Sequence, residues 1–312
     1  MKKIAFLFPG QGSQKVGMGQ ALAHADEAAR QIFATADEVS GLPITRLCFE
    51  GPMAELTETI NLQPAVTAVN LAFLAAVEKA GLRPSVCAGH SLGEYSALKA
   101  AGVISVRDCL KLVYKRGELM HREATRNQGA MSAVIGLDID RVAAIVAESS
   151  HAGIVAVANH NSAEQIVITG SPEGVAAASE HASAEGARVI ALKVSGAWHS
   201  PLIQGAEADF KAYLAEIEFK VPQCDVIHNV TAAPEPDADQ IKALVAAQLC
   251  SPVRWYDSVL KMAADQTEVY VEIGPGRVLT GLLKKILPDA AGARVYNVYD
   301  LKTLEAFVQA EA

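Results

Sequence analysis

The stretch CAGHSLGEYSALKAAG, Cys87–Gly102, decides how this chain is read. A short apolar run ends in Gly89-His90-Ser91-Leu92-Gly93, and a helix-like segment follows at once. The five residues fit G-x-S-x-G between a strand and a helix, the setting of a nucleophile elbow. The turn is so tight that side chains at the flanking positions would clash, hence glycine. It lifts the serine hydroxyl clear of the sheet. It also sets the Leu92 N–H at a helix N-terminus, where the dipole favours a developing oxyanion. A serine hydroxyl is a weak nucleophile without a base, so the elbow raises the question of what activates Ser91 and what accepts an acyl group from it.

Outward from the elbow, strand-like and helix-like runs alternate. KIAFLF reads as a buried strand closed by Pro9-Gly10, and LQPAVTAVNLAFLAAVEKAG as a helix closed at Gly81. VRDCLKLVYKRGELMHREAT is a long amphipathic helix. Such alternation predicts a parallel sheet covered on both faces. From about Gln128 to Ser195 the order becomes β-α-β-β-α-β, the split unit of ferredoxin-like domains. The alternating pattern then resumes. The expected fold is α/β, with a large domain from residues 1–127 and 196–312 and a small α+β domain, 128–195, set into it.

Composition narrows the function classes. Of 312 residues, 51% are hydrophobic and 20% charged, as in a globular protein. The net charge of −8 gives no reason to expect a nucleic-acid partner. The five cysteines are scattered, without a CxxC pair, so neither a disulfide framework nor a zinc site is expected and a reducing compartment, the cytoplasm, fits best. The lysines at the start are followed by five apolar residues before Pro9, too few for a signal peptide. AVTAVNLAFLAAV is too short to span a bilayer, so no membrane partner is expected. No coiled-coil pattern or surplus apolar segment stands out, and the chain is expected to be a monomer.

Eight histidines compete for the role of base. His24, His121, His151 and His181 lie in helical or polar surface segments. His160 and His228 sit near strand ends. His90 adjoins Ser91, but neighbouring side chains on a bend point apart, which suits a pocket wall. His199, in the loop VSGAWHSPL after the last strand of the small domain, is the leading candidate, against a capping or structural role. No acid announces itself as the third member; Asp257 and Glu272 have easy structural readings, and a backbone carbonyl can hold the imidazole tautomer instead. In PGQGSQKVGMG, Pro9–Gly19, the glycines allow close backbone approach, but the G-K-[ST] ending of a phosphate loop is missing, which leaves a second oxyanion donor near Gln11. Arg116 either faces solvent from its helix or grips a substrate carboxylate; the residues alone do not choose.

Taken together, FLFPGQGSQKVGMG, QPAVTAVNLA, AGHSLGEYSAL, KRGELM, NHNSAEQIVITG, VSGAWHSPL, QLCSPVRWYDSV and EIGPGRVLTGLLKKI closely resemble malonyl-CoA:acyl carrier protein transacylases, in family order over nearly the whole chain. The resemblance implies a hydrolase-like α/β domain with a ferredoxin-like insertion. It implies Ser91 as nucleophile, His199 as general base, and the N–H groups of Gln11 and Leu92 as the oxyanion hole. It implies Arg116 as the residue that binds the malonyl carboxylate, and Gln248 as the residue whose main-chain carbonyl orients the histidine. His90, Gln63, Met120 and Trp198 are implied to line the pocket. Relatives that select methylmalonyl units tend to carry Gln after the serine and a Y-A-S-H type motif; Leu92 and GAWH are closer to the malonyl type H-A-F-H, with Trp198 in place of Phe. The implied partners are malonyl-CoA and acyl carrier protein, with no metal or organic cofactor. Basic residues would be needed at the mouth, and Lys111, Lys115, Arg122, Arg126, Lys284 and Lys285 are candidates. The expected pathway is fatty-acid synthesis; a polyketide or malonate decarboxylase system, or a serine thioesterase on the same fold, are the alternatives.

Overall fold

The computed structural model describes residues 2–194, 196–288 and 292–312. Ser195, which closes the expected small domain and belongs to the VSGAWHSPL motif, lies outside the described residues, as does Met1. The chain opens with β1 (Ile4–Phe8), four helices, α1 (Gln20–Ala25), α2 (Glu27–Ser40), α3 (Ile44–Glu50) and α4 (Met53–Thr57), and the long α5 (Thr59–Lys79). The elbow joins β2 (Val86–Gly89) to α6 (Gly93–Ala100), and α7 (Val106–Arg126) follows. Next come β3 (Ala130–Ile135), α8 (Ile139–Ser149), β4 (Val155–Ser162), β5 (Gln165–Gly170), α9 (Pro172–Ala184) and β6 (Arg188–Ala191). The remainder is α10 (Gly205–Leu214), β7 (Asp225–Ile227), α11 (Ala238–Ala247), α12 (Trp255–Ala264), β8 (Val269–Ile273), α13 (Val278–Ile286), β9 (Arg294–Val298) and α14 (Leu301–Glu311).

The result is a mixed α/β fold with two sheets. The first has order β7-β2-β1-β8-β9 and is parallel at every pairing. All five residues of β1 are buried, so it reads as a continuous apolar run. Its period of two sends Phe6 and Phe8 into a core shared with α2, α5, α6 and α7, and Ala5 and Leu7 into a second core against α12 and α13. The second sheet, order β4-β5-β3-β6, is antiparallel throughout. Its core, with Val134, Ile166 and Ile168, is filled from α8 and α9 by Val142, Ile145, Val175 and Ala178.

Three differences from the sequence reading have physical reasons. The helix expected from Leu62 begins at Thr59 and carries Pro64 inside it. Proline is at home in a helix's first turn, so Pro64 hides a start that lies before it at Thr59. With 21 residues this helix is long and apolar enough to cross a bilayer, which corrects the reading of its segment as too short, but most of it is buried as the central core helix. The helices α1–α4 and α12 and the last pair, β9 and α14, were not foreseen. β9 is an edge strand, only half-buried over most of its length, so it lacks the apolar run of its neighbours.

Candidate active site

Ser91 sits on the turn from β2 to α6 with φ 49°, in the left-handed region that side chains rarely adopt. The glycines explain how the chain gets there. A Cβ on Gly89 would come within 2.0 Å of the Gly93 carbonyl carbon, and one on Gly93 within 1.9 Å of the Phe8 carbonyl oxygen of β1. Asn229, just past β7, completes the clamp. It accepts a hydrogen bond from the Ser91 N–H at 2.7 Å and donates to the Gly89 carbonyl at 2.6 Å.

His199 comes to the serine from the other side of the cleft, also at positive φ, 60°. Its Nδ1 lies 2.9 Å from the Gln248 carbonyl oxygen and 3.1 Å from that of Ser251. Carbonyls only accept, so Nδ1 carries the proton and Nε2 is left with its lone pair. Nε2 is 2.8 Å from Ser91 Oγ and accepts its hydrogen bond. Burial, then the nearby Arg116 charge, pushes the His199 pKa down to about 3, so the imidazole is neutral at physiological pH.

Arg116 is 2% exposed, which removes the reading of a solvated helix residue. It donates to Gln63 Oε1 at 3.0 Å, to Gln248 Oε1 at 3.1 Å and to Ser91 Oγ at 3.1 Å, and lies 5.6 Å from the centre of the Tyr95 ring. Every one of these partners is neutral. Among the described residues no carboxylate is within ion-pair distance of it, and its Nε has no partner. Burial pushes its pKa down, and the nearby Tyr95 and Glu94 offset only part of that.

A cavity of about 120 Å³ lies over these groups. Gln11, His90, Ser91, Leu92, Arg116, Met120, Trp198 and His199 all line it, so eight of the expected site residues meet at one space. Gln63 and the Gln248 side chain stand behind Arg116. His90 donates from Nε2 to Asn161 Oδ1 at 2.7 Å and packs on Trp255, a wall position, with that nitrogen engaged. Asp257 pairs with Arg254, and Glu272 accepts from the Leu279 and Thr280 N–H groups at the start of α13. Neither acid touches His199. A second cavity of about 360 Å³ shares Gln11, His90, Asn159 and Leu192 with the first and continues past Asn161 to Val278 and Lys285.

Comparison with known proteins places the whole chain. An acyl transferase domain family model matches residues 5–303. The malonyl CoA-acyl carrier protein transacylase of Bacillus subtilis is 42% identical over 311 residues, covering 99% of this chain and 97% of that one. The chain belongs to the malonyl-CoA:acyl carrier protein transacylase family. An acyl carrier protein S-malonyltransferase from Vibrio cholerae superimposes with a TM-score of 0.93 at 41% identity, covering 98% of this chain and all of that one. A type II PKS acyl-carrier protein in complex with its malonyl-transacylase gives 0.94 at 38% identity, with 99% of this chain and 100% of that one covered.

Sequence reasoning missed several residues of this transacylase site. Asn161, Asn229 and Glu94 all contact the expected residues. The first two lay inside quoted or strand-like segments with no spacing that singled them out. Glu94 stood in plain view in the elbow motif, three residues after Ser91; a carboxylate at an apolar helix start was the available signal.

Proposed function

We propose that this protein transfers a malonyl group from malonyl-CoA to the phosphopantetheine thiol of acyl carrier protein, through a malonyl ester on Ser91. Arg116 carries the reading. A buried guanidinium with only neutral partners, one of them the candidate nucleophile, calls for an anionic group on the acyl chain. A malonyl carboxylate would supply it through a bidentate pair.

In the first half-reaction His199 Nε2 takes the Ser91 proton as Oγ attacks the thioester carbon. The oxyanion accepts from the Gln11 and Leu92 N–H groups, each contributing about 3 kcal/mol. The C–S bond breaks, and the CoA sulfur leaves with the proton held by His199. The second half-reaction runs in reverse: His199 deprotonates the carrier's thiol, which attacks the malonyl ester and releases Ser91. The Arg116–carboxylate pair holds the ester where bulk water is poorly aligned, which favours a thiol acceptor over hydrolysis.

The strand order β4-β5-β3-β6 with α8 and α9 on one face supports a ferredoxin-like domain, residues 128–195, inserted into a hydrolase-like domain of residues 1–127 and 196–312. The second cavity suits the pantetheine arm. Lys285, in the last turn of α13 with Lys284, lines it and is better placed for an acidic carrier than Arg122 and Arg126, which pair with Glu123. Fatty-acid synthesis in the cytoplasm, with the chain acting as a monomer, is the setting this reading takes.

The test is intact-protein mass spectrometry after brief exposure to malonyl-CoA. A malonyl adduct on the wild type, absent from Ser91→Ala and discharged by phosphopantetheinylated carrier protein, is the expected result. Steady CoA release without an adduct or an acceptor would instead make the protein a thioesterase.

A further inference from the structure

Glu94 is a carboxylate buried to 1% exposure beneath the nucleophile, and the cycle just described gives it no task. Its partners are all donors. His228 Nδ1 reaches Oε1 at 2.7 Å; the Asn229 N–H reaches Oε2 at 3.3 Å; Gln248 Nε2 donates to Oε2 as well. We propose that Glu94 is a positioning residue that, by fixing which way the Gln248 amide points, aims Arg116 at the acyl carboxylate. The inference rests on the malonyl reading above.

The argument is one of hydrogen-bond polarity. Both Glu94 oxygens are used as acceptors, so the Gln248 amide must turn its NH₂ toward Oε2. The same NH₂ donates to the Ser91 carbonyl at 3.0 Å. The amide oxygen is then left facing outward, where it accepts from Arg116 Nη2 at 3.1 Å. Reversing the amide would set its oxygen against a carboxylate oxygen and a carbonyl oxygen, and its NH₂ against a guanidinium. Both contacts would be repulsive between side chains this deeply buried. Glu94 therefore acts as an anchor for a chain of fixed polarity, Glu94–Gln248–Arg116. Gln63, on the other side, receives Nη1 and completes the fork's alignment. Glu94→Gln keeps the shape but removes the demand for donors, because its own amide can face Gln248 with either end.

The experiment measures kcat/KM for malonyl-CoA and for acetyl-CoA in four proteins: wild type, Glu94→Gln, Arg116→Ala and the double variant. The malonyl-to-acetyl ratio is expected to fall about tenfold in Glu94→Gln, read chiefly as a raised KM for malonyl-CoA. In the Arg116→Ala background the same substitution should leave the ratio unchanged, since Glu94 acts only through that guanidinium. A merely structural role would lower both donors together and keep the ratio. An unchanged ratio in a Glu94→Gln protein that melts like the wild type overturns the inference, as does an equal fall in the Arg116→Ala background. If Glu94→Gln does not fold, Gln248→Met decides. It keeps the main-chain carbonyl under His199 and deletes the amide; a lowered ratio supports the inference and an unchanged one overturns it. A wild type with no preference for malonyl-CoA would refute the malonyl reading itself, and this inference with it, a result distinct from any seen only in the variants.

Discussion

Ser91 and His199 face each other 2.8 Å apart, and both backbones are in the left-handed region, yet the sequence neighbours of the first contribute far more to its conformation. The serine's turn is made by its nearest neighbours. Gly89 and Gly93 clear the space, and β1 lies so close that any side chain on Gly93 would strike it. The histidine is held from far along the chain, by carbonyls 49 and 52 positions away. Strain of this kind costs about 1–3 kcal/mol per residue and persists only where the surroundings over-determine it. In one half of the dyad neighbouring glycines make the conformation possible and Asn229 clamps it; the other depends on the packing of α11 and the loop after it.

Four changes test that contrast. Arg116→Ala strikes the group between the two halves. Malonyl kcat/KM should drop about 10³-fold, or about 4 kcal/mol, while the relative rate with acetyl-CoA rises. Steady-state kinetics with both donors would show it, and an unaltered malonyl preference would remove Arg116 from the account. Gly93→Ala attacks the locally built half. The new Cβ meets β1 backbone, and a loss of about 3 kcal/mol in stability is expected from thermal melting, with transfer activity lost as the elbow shifts.

The third test is pH. The depressed His199 pKa means that the base is already unprotonated well below the usual histidine range. The acid limb of kcat/KM should therefore fall below pH 6.5, the ordinary histidine value. Removing the Arg116 cation removes a repulsion that disfavours imidazolium, so in Arg116→Ala the limb should move up in pH. A limb that stays in place would mean that burial alone sets it. The smallest effect is at the cavity wall. Trp198→Phe should raise the relative kcat/KM for methylmalonyl-CoA by about tenfold, the room of roughly one methyl group. Comparable turnover of both donors by the wild type would show that the larger ring excludes nothing.

Much of the site was legible because its motifs carry their geometry with them. A strand, a Gly-x-Ser-x-Gly turn and a helix can fold in few ways, so Ser91 and Leu92 could be placed from neighbouring residues. His199 could be singled out by its loop. The alternation of strands and helices, with its interruption by a β-α-β-β-α-β order, likewise pointed to two sheets of different kind. What could not be read was partnership. Nothing near Arg116 in sequence says that it is buried, and its three hydrogen-bond partners come from three other segments of the chain. Glu94 looks like an ordinary charge in the first turn of a helix until β7 and α11 bring His228, Asn229 and Gln248 around it.

The sequence by itself determined the elbow, the alternation of the central strands and helices and the kind of residue available for each chemical task, because those follow from sterics and periodicity over a few neighbouring residues. Only the tertiary structure decided which histidine reaches the serine, that two carbonyls and not an acid fix its tautomer, and that the arginine is buried with no carboxylate in ion-pair distance among the described residues. Those depend on distances between segments remote in sequence, and on the loss of water around them, which turns a surface charge into a demand for an anionic ligand.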